Sequence, residues 1–212
     1  MTKRVLIFSG GRLGKWALDE IKQGDILIGA DRGAFFLAEN GLQPDFSLGD
    51  FDSVAEYELE IIRQSSKTFL SFDPVMKDWT DTELAMNHAV QMCPSEIKLL
   101  GAIGTRFDHS LANLHLLYKC YQRAIPCTIV DETNDIRLID HETEIDKGRY
   151  THVSLLPFTH QVTGITLEGF RYPLHKATLT SGDSLGISNV VIGEKARISI
   201  ETGLLLVIRS MD

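Results

Sequence analysis

The chain has 212 residues, of which 43% are hydrophobic and 24% are charged, and its formal net charge is -8. These are ordinary values for a globular protein with a sizeable core, and they exclude a disordered chain. The negative net charge argues against a nucleic-acid-binding protein that is held by a basic surface.

The beginning of the chain and its cysteines indicate in which cellular compartment the protein is found. Basic residues at the start precede only four apolar ones, VLIF, which is too short for the core of a signal peptide. The three cysteines, Cys93, Cys120 and Cys127, show no metal-ligand spacing. We therefore expect a reduced, cytoplasmic protein.

Residues 1–133 alternate between predicted strands and predicted helices. Strands are predicted at 4–10, 25–31, 68–72, 97–104 and 126–131, and helices at 14–23, 33–40, 54–64, 80–92 and 108–124. We expect Thr80 to cap its helix, with Glu83 reaching back to complete a capping box. The alternation predicts an α/β domain with a mainly parallel sheet and flanking helices, because parallel neighbours need crossover connections.

Residues 134–212 have a different pattern, without a helix-length segment. Short segments rich in β-forming residues are separated by glycine or turn residues, at 135–141, 150–158, 162–170, 176–182, 196–202 and 204–210. Ile198 and Ile200 alternate with polar neighbours, which is typical of a half-buried strand. We therefore predict an antiparallel C-terminal β-domain, a sandwich or a barrel-like unit, and a domain division into 1–133 and 134–212.

Aspartates concentrate where ligands bind to parallel sheets, at the carboxyl ends of the strands. The predicted ends carry SGG, GAD, LGDFD, FDPVMKD and GAIGTRFD, and four of these five contain aspartate. The first end, SGGRLGKW, loosely imitates a dinucleotide-binding fingerprint, with Asp31 ending the next strand. Gly10 and Gly11 are equally compatible with a tight turn and with a phosphate-binding loop.

Asp50 and Asp52 are the closest pair of these aspartates. In an extended chain both side chains would leave the same face, and they would form a hard-oxygen site suited to Mg²⁺. The alternative is an acidic surface loop in which Ser53 caps the following helix. A second loop adds Asp73, Asp78 and Asp81, which favours the metal site, although Asp81 also suits a helix N-terminus without any function.

The segment GAIGTRFDHSLAN supplies a cation and further polar groups. Arg106 can form two hydrogen bonds to phosphate oxygens. Asp108 either caps the helix or contacts a metal, and His109 is an orienting partner more often than a base. An arginine opposite a metal held by aspartates is typical of phosphoryl transfer.

Four segments together resemble the thiamine pyrophosphokinase family, in the expected order and at the expected separations. They are DRGAFFLAENGLQPDFSLGDFDS, KDWTDTELA, GAIGTRFDHSLANL and TSGDSLGISN. The resemblance implies an α/β nucleotide-binding domain joined to a C-terminal β-domain, in a homodimer. It also implies that thiamine binds near the dimer interface, and that ATP and Mg²⁺ bind to the N-terminal domain.

The resemblance implies the transfer of a diphosphate group from ATP to the hydroxyl of thiamine, which gives thiamine diphosphate and AMP. We expect Asp50, Asp52 and Asp78 to hold Mg²⁺ and to act in catalysis with Arg106 and Asp108. Thiamine is expected to contact Ser188 and Asn189. The expected nucleotide contacts are Gly10, Gly11, Asp31, Gly33, Asp81, Gly104, Arg106, His109 and Asn113.

Two other functions stay open at this point. Asp-x-Asp metal sites also serve nucleotide-sugar transferases, which would consume a sugar nucleotide instead of releasing AMP. A non-catalytic nucleotide-sensing module would bind ATP without turnover.

Overall fold

The structure is a computed structural model that describes residues 3–72 and 78–212. It divides into two compact units, residues 1–132 and 133–212. Within the described residues, no helix has both the length and the apolar character needed to cross a membrane. Asp73, one of the expected acidic residues, lies outside the described ranges.

Six parallel strands form the sheet of the N-terminal unit, in the order β4-β3-β2-β1-β5-β6. They are β1 (Arg4–Phe8), β2 (Ile26–Ala30), β3 (Phe46–Gly49), β4 (Thr68–Ser71), β5 (Glu96–Leu100) and β6 (Cys127–Val130). Val5, Leu6, Ile7 and Phe8 are each 0% exposed, so consecutive side chains of β1 are buried on both faces of the sheet. The predicted parallel sheet is confirmed.

In the described part of the N-terminal unit, five helices connect these strands: α1 (Lys15–Asp19), α2 (Arg32–Glu39), α3 (Glu56–Ser65), α4 (Asp81–Gln91) and α5 (Phe107–Tyr121). Helix α1 is shorter than the predicted 14–23, since it ends at Asp19 with Glu20 as its C-cap. Thr80 caps α4 by accepting the Glu83 N–H at 3.2 Å. The prediction that the Glu83 carboxylate reaches back to the start of the helix is wrong. This carboxylate instead accepts a hydrogen bond from Lys119 Nζ at 2.6 Å.

The C-terminal unit contains two antiparallel sheets, β7-β13-β9 and β11-β10-β12-β8. Their strands are β7 (Asn134–Ile139), β8 (Thr143–Asp146), β9 (His152–Pro157), β10 (Gln161–Glu168), β11 (Ala177–Thr180), β12 (Lys195–Ser199) and β13 (Leu205–Ser210). Buried side chains from both sheets share one hydrophobic core. This packing is a β-sandwich, as predicted. Strand β8 was not predicted, because only Ile145 among its residues is buried.

A buried ion cluster ties β7 to β13 within the sandwich. Asp135, which is 6% exposed, accepts hydrogen bonds from Arg137 Nη2 at 2.9 Å and from Arg209 Nε at 3.2 Å. Burial alone would raise the pKa of Asp135, but the hydrogen bond from Arg209 and the charges of both arginines bring this pKa below its ordinary value. The carboxylate therefore stabilises the fold in its charged form.

Asp135→Asn should lower the free energy of unfolding by about 3 kcal/mol at pH 7, because it leaves the charge of two half-buried arginines without its buried partner. A lowered carboxyl pKa contributes stability above the unfolded pKa, and this contribution is lost as the pH falls through the folded pKa. The difference between variant and parent should therefore shrink on acidification. Urea unfolding at several pH values measures it. Equal unfolding free energies at pH 7 would contradict the assignment, and Glu144→Gln, which breaks an exposed ion pair with Lys195, is the control.

Candidate active site

A cleft of about 330 Å³ opens at the carboxyl edge of the parallel sheet. It is lined by the residues that follow β1, β2 and β5, together with the first residues of α4 and the loop that leads into α5. The predicted site residues that line it are Gly10, Gly11, Asp31, Asp81, Gly104, Arg106, His109 and Asn113. Asp50, Asp52, Asp78, Asp108 and Gly33 are not among the lining residues.

The glycine turn after β1 interlocks with the loop after β5. The Gly11 N–H donates to the Gly101 carbonyl at 2.8 Å, and the Arg12 N–H donates to the Ile103 carbonyl at 3.2 Å. A Cβ atom at Gly11 would lie 2.3 Å from the Gly101 oxygen, which leaves no room for a side chain. The Gly11 N–H is therefore already hydrogen-bonded to the Gly101 carbonyl. The absence of a side chain at Gly11 allows the two loops to pack closely. The structure favours the tight-turn interpretation at Gly11.

Gly10 and Gly11 provide a matched pair of substitutions. Gly11→Ala should destabilise the N-terminal unit, because its Cβ would clash with backbone. Gly10→Ala should leave stability unchanged, because its Cβ would meet only Arg32 Cβ, at an ordinary 3.6 Å. Thermal unfolding of both variants measures the difference. Equal unfolding midpoints for the two variants would contradict the interlocked loops.

Asp31 is the most unusual residue of the cleft. It has a left-handed φ of 51°, which is rare outside glycine, and it precedes the first turn of α2. Its Oδ2 accepts a short hydrogen bond from the Ser53 hydroxyl. Its Oδ1 is buried and has no hydrogen-bond partner among the described residues. Such a strained, half-satisfied carboxylate is typical of a functional site.

The pKa of Asp31 is raised above its ordinary value, mainly because burial penalises the charged form. The Ser53 hydrogen bond and the backbone N–H of Arg32 lower this pKa, whereas the negative charges of Asp81 and Asp50 raise it further. Gly49 allows these groups to approach each other, since a Cβ at this position would lie 3.1 Å from Asp81 Oδ1. The arrangement concentrates negative charge that a cation would stabilise.

The loop that carries Asp50 and Asp52 is not extended, so the expected same-face geometry is wrong. Phe51 has a φ of 58°, and its buried ring stacks on Phe69 with 4.8 Å between ring centroids. The Asp52 N–H donates to Asp50 Oδ1 at 3.1 Å, and the Asp50 N–H donates to Asp81 Oδ1 at 3.2 Å. A turn anchored by the buried Phe51 ring therefore links Asp50 to Asp81, while Asp52 is exposed.

Ser53 does not cap the following helix, as one interpretation of the sequence expected. Helix α3 begins after Ala55, whose N–H donates to Glu58 Oε2 at 2.8 Å. The Ser53 hydroxyl is used by Asp31, and the Ser53 carbonyl accepts from Arg32 Nη1 at 3.1 Å. These contacts fasten the acidic loop to the start of α2. Ser53 and Arg32 both line the cleft, and sequence reasoning missed them.

Gly33 and Asp78 lie away from the lining of the cleft. A Cβ at Gly33 would lie 1.9 Å from the Phe8 carbonyl oxygen, so this glycine lets α2 pack directly against β1. Asp78 is exposed, shortly before the Thr80 cap. Within residues 3–72 and 78–212, no group of three or more His, Cys, Asp or Glu side chains is arranged to hold a metal ion.

The start of α5 presents the cationic side of the cleft. Arg106 pairs with Asp108 through Nη2 and Oδ2 at 2.6 Å, and their side chains are 69% and 65% exposed. Asp108 therefore neither caps α5 nor lines the cleft. Asn113, 7% exposed, donates through Nδ2 to the Ala102 carbonyl at 2.8 Å and holds the loop after β5. The exposed His109 completes this side.

In the C-terminal unit, Ser188 and Asn189 have different environments. Ser188 is exposed and has a left-handed φ of 59°, and its N–H donates to Ser154 Oγ at 3.0 Å. Asn189 is 6% exposed, and its amide binds the Tyr172 backbone, through Nδ2 to the carbonyl at 2.7 Å and through Oδ1 from the N–H at 3.0 Å. The expectation that Asn189 offers its amide to a ligand is therefore corrected. Its amide connects the chain next to Ser188 with the backbone of Tyr172.

Two family models match separate segments of the chain. The thiamin pyrophosphokinase catalytic domain matches residues 18–129, and the thiamin pyrophosphokinase vitamin B1 binding domain matches residues 140–205. A curated thiamine pyrophosphokinase from Bacillus subtilis (strain 168) is 35% identical over 188 residues, which is 87% of each chain. The chain belongs to the thiamine pyrophosphokinase family.

Solved structures of thiamine pyrophosphokinases have the same fold. One from Bacillus subtilis aligns with a TM-score of 0.92 and 33% identity, over 99% of this chain and 100% of that one. One from Geobacillus thermodenitrificans aligns with a TM-score of 0.88 and 32% identity, over 99% and 98%. The catalytic-domain match contains Asp31, Asp81 and Arg106, but the glycine turn at residues 9–11 precedes it.

Proposed function

We propose that this chain transfers a diphosphate group from ATP to the hydroxyl of thiamine, releasing thiamine diphosphate and AMP. Membership of the thiamine pyrophosphokinase family is the observation that carries this conclusion. The hydroxyl oxygen forms a bond to the β-phosphorus and loses its proton, while the bond from this phosphorus to the α–β bridging oxygen breaks. Neither a sugar-nucleotide transferase nor a non-catalytic sensor finds support in the relatives.

The carboxylates at the cleft fit a divalent cation. Asp31 Oδ1 is buried without a partner in the described part of the chain, and the nearby charges of Asp81 and Asp50 raise the pKa of Asp31. Mg²⁺ is bound by one or two protein carboxylates together with phosphate oxygens, so no three-carboxylate cage is required. We propose that Asp31 and Asp50 hold Mg²⁺. The sequence-based assignment of Asp52 and Asp78 as further ligands stays a prediction.

Bound Mg²⁺ would neutralise charge that develops between the α- and β-phosphates. Arg106 would add a fixed positive charge on the opposite side of the cleft, by exchanging its exposed contact with Asp108 for phosphate oxygens. Asp108 would then position Arg106 rather than contact the reacting atoms. Gly10, Gly104 and His109 would line the path of the phosphates, and Asn113 would hold the loop that carries Gly104.

Thiamine would contact Ser188 in the C-terminal unit. The strained φ of Ser188 supports this role, since left-handed non-glycine residues cluster at functional sites. We also propose a homodimer with thiamine near its interface, which rests on the family resemblance. A cytoplasmic location is supported by the three cysteines, which are all free.

The function is tested by measuring AMP release from ATP with purified protein. AMP and thiamine diphosphate should form in equal amounts, and omission of ATP, Mg²⁺ or thiamine should each abolish the reaction. Release of ADP instead of AMP, or turnover that does not depend on thiamine, would contradict the proposal. Consumption of a sugar nucleotide without AMP release would favour the transferase alternative.

Asp31→Asn should separate activity from stability. Asparagine tolerates left-handed backbone and can still accept the Ser53 hydrogen bond, while it removes a charge that burial disfavours. The variant should therefore be at least as stable as the parent without Mg²⁺, yet its kcat should fall by at least about a hundredfold. Turnover and thermal unfolding are measured together, with Asp45→Asn as the control outside the cleft. Full activity of Asp31→Asn would exclude Asp31 as a metal ligand.

Ser188→Gly should weaken thiamine binding without harming the fold. Glycine adopts a left-handed φ without strain, so stability should be kept or increased while the hydroxyl is lost. The KM for thiamine should rise about tenfold, as expected for one lost hydrogen bond to a charged ligand, with the KM for ATP unchanged. Steady-state kinetics measures both constants. A parallel rise of both constants would argue against a thiamine contact at Ser188.

A further inference from the structure

Three sulfur atoms meet in the interior of the N-terminal unit. Met86 of α4 and Cys120 of α5 are both 0% exposed, and the Cys120 thiol donates a hydrogen bond to Met86 Sδ at 3.3 Å. The thiol of Cys127, the first residue of β6, is hydrogen-bonded to Cys120. Met86, Cys120 and Cys127 are not among the residues that line the cleft, and the proposed reaction gives them no role.

This sulfur cluster joins three elements at a distance from the cleft. Cys127 begins β6 at the amino edge of the parallel sheet, whereas the cleft lies at the edge where the strands end. Helix α5 packs against both α4 and β6, which brings the three sulfurs together. Residues 122–124, the turn between α5 and β6, are exposed, so local opening of this turn gives an ion access to the cluster.

The cluster can hold negative charge only together with a cation. The pKa of Cys127 is raised well above its ordinary value by the hydrogen bond with Cys120, by burial of the thiol and by the negative charge of Glu96. Both thiols are therefore neutral when no ion is bound. A metal ion between the sulfurs opposes all of these effects, because a thiol that coordinates a metal is deprotonated.

The donor atoms of the cluster favour a soft, monovalent cation. Thiolate and thioether sulfurs select Cu(I), whereas Zn²⁺ in structural sites takes four ligands from Cys, His and carboxylate groups. Metal–sulfur bonds of about 2.3 Å place two sulfurs that share an ion about 4 Å apart in a trigonal arrangement. The 3.3 Å between Cys120 Sγ and Met86 Sδ must therefore widen by less than about 1 Å.

We propose that Met86, Cys120 and Cys127 form a binding site for Cu(I), with two thiolates and one thioether as its ligands. Each thiol loses its proton to solvent when the ion binds, and the oxidation state of copper does not change. The Mg²⁺ proposed for the cleft is a hard cation that prefers oxygen ligands, so it does not compete for the sulfurs. Bound Cu(I) links α4, α5 and β6.

Competition with bicinchoninate, a chelator that forms a coloured complex with Cu(I), tests the site under anaerobic conditions with ascorbate. The protein carries Cys93→Ser, which removes the exposed third thiol of the chain. This protein should withdraw one Cu(I) per chain from the chelator. Cys127→Ala in the same background should lower the affinity for Cu(I) at least about a hundredfold, because one of the two anionic ligands is lost.

Met86→Leu separates ligation from packing. Leucine conserves the volume of methionine, so the fold should be kept, while the affinity for Cu(I) should fall about tenfold with the loss of the neutral thioether. Met92→Leu, which replaces the methionine at the C-cap of α4, is the matched control and should leave the affinity unchanged. Thermal unfolding without copper checks the fold of each variant.

The pH dependence of binding tests the site without a further substitution. Release of two protons should raise the apparent affinity for Cu(I) about a hundredfold for each pH unit below the pKa of the thiols. An affinity that does not change with pH would overturn the inference, because no thiol would then lose its proton. It would also be overturned if the Cys93→Ser protein failed to compete with the chelator, or if Cys127→Ala or Met86→Leu bound Cu(I) as tightly as their parent.

Discussion

The half-buried carboxylate of Asp31 is the constraint on which the cleft depends. Its left-handed backbone turns the chain from β2 directly into α2, and Gly33 lets that helix lie against the carbonyl of Phe8. Its carboxylate holds Ser53, and through Ser53 the loop that contains Asp50. Burial and the nearby negative charges oppose ionisation of this carboxylate. Its Oδ1 atom has no hydrogen-bond partner in residues 3–72 and 78–212, so a cation would stabilise it.

Hydrogen bonds to the backbone hold the other loops of the cleft in place. Interlocked backbone at Gly11 and Gly101 fixes the glycine turn at the cleft, and the Asn113 amide fixes the loop that leads to Arg106. Arg106 itself stays exposed beside Asp108, where it is available to an incoming phosphate.

The sequence predicted the features of the fold that depend on local residue patterns. Buried runs such as Val5–Phe8 indicated strands enclosed on both faces, and aspartates after successive strands indicated a ligand edge. It could not predict conformations that distant packing imposes. The chain turns at Phe51, whose ring stacks on Phe69. The side-chain amide of Asn189 is hydrogen-bonded to the backbone of Tyr172. The importance of Asp31 was underestimated for the same reason, since its partners Ser53 and Asp81 come from other loops.

The most direct test of the account is the position of the metal. Crystals grown with Mn²⁺ and α,β-methylene-ATP allow the ion to be located by anomalous diffraction. We expect the anomalous peak within about 2.5 Å of Asp31 Oδ1, as direct carboxylate ligation requires, with the phosphates between it and Arg106. A metal and phosphates bound elsewhere, with Asp31 Oδ1 still buried and unoccupied, would contradict the central role of this carboxylate.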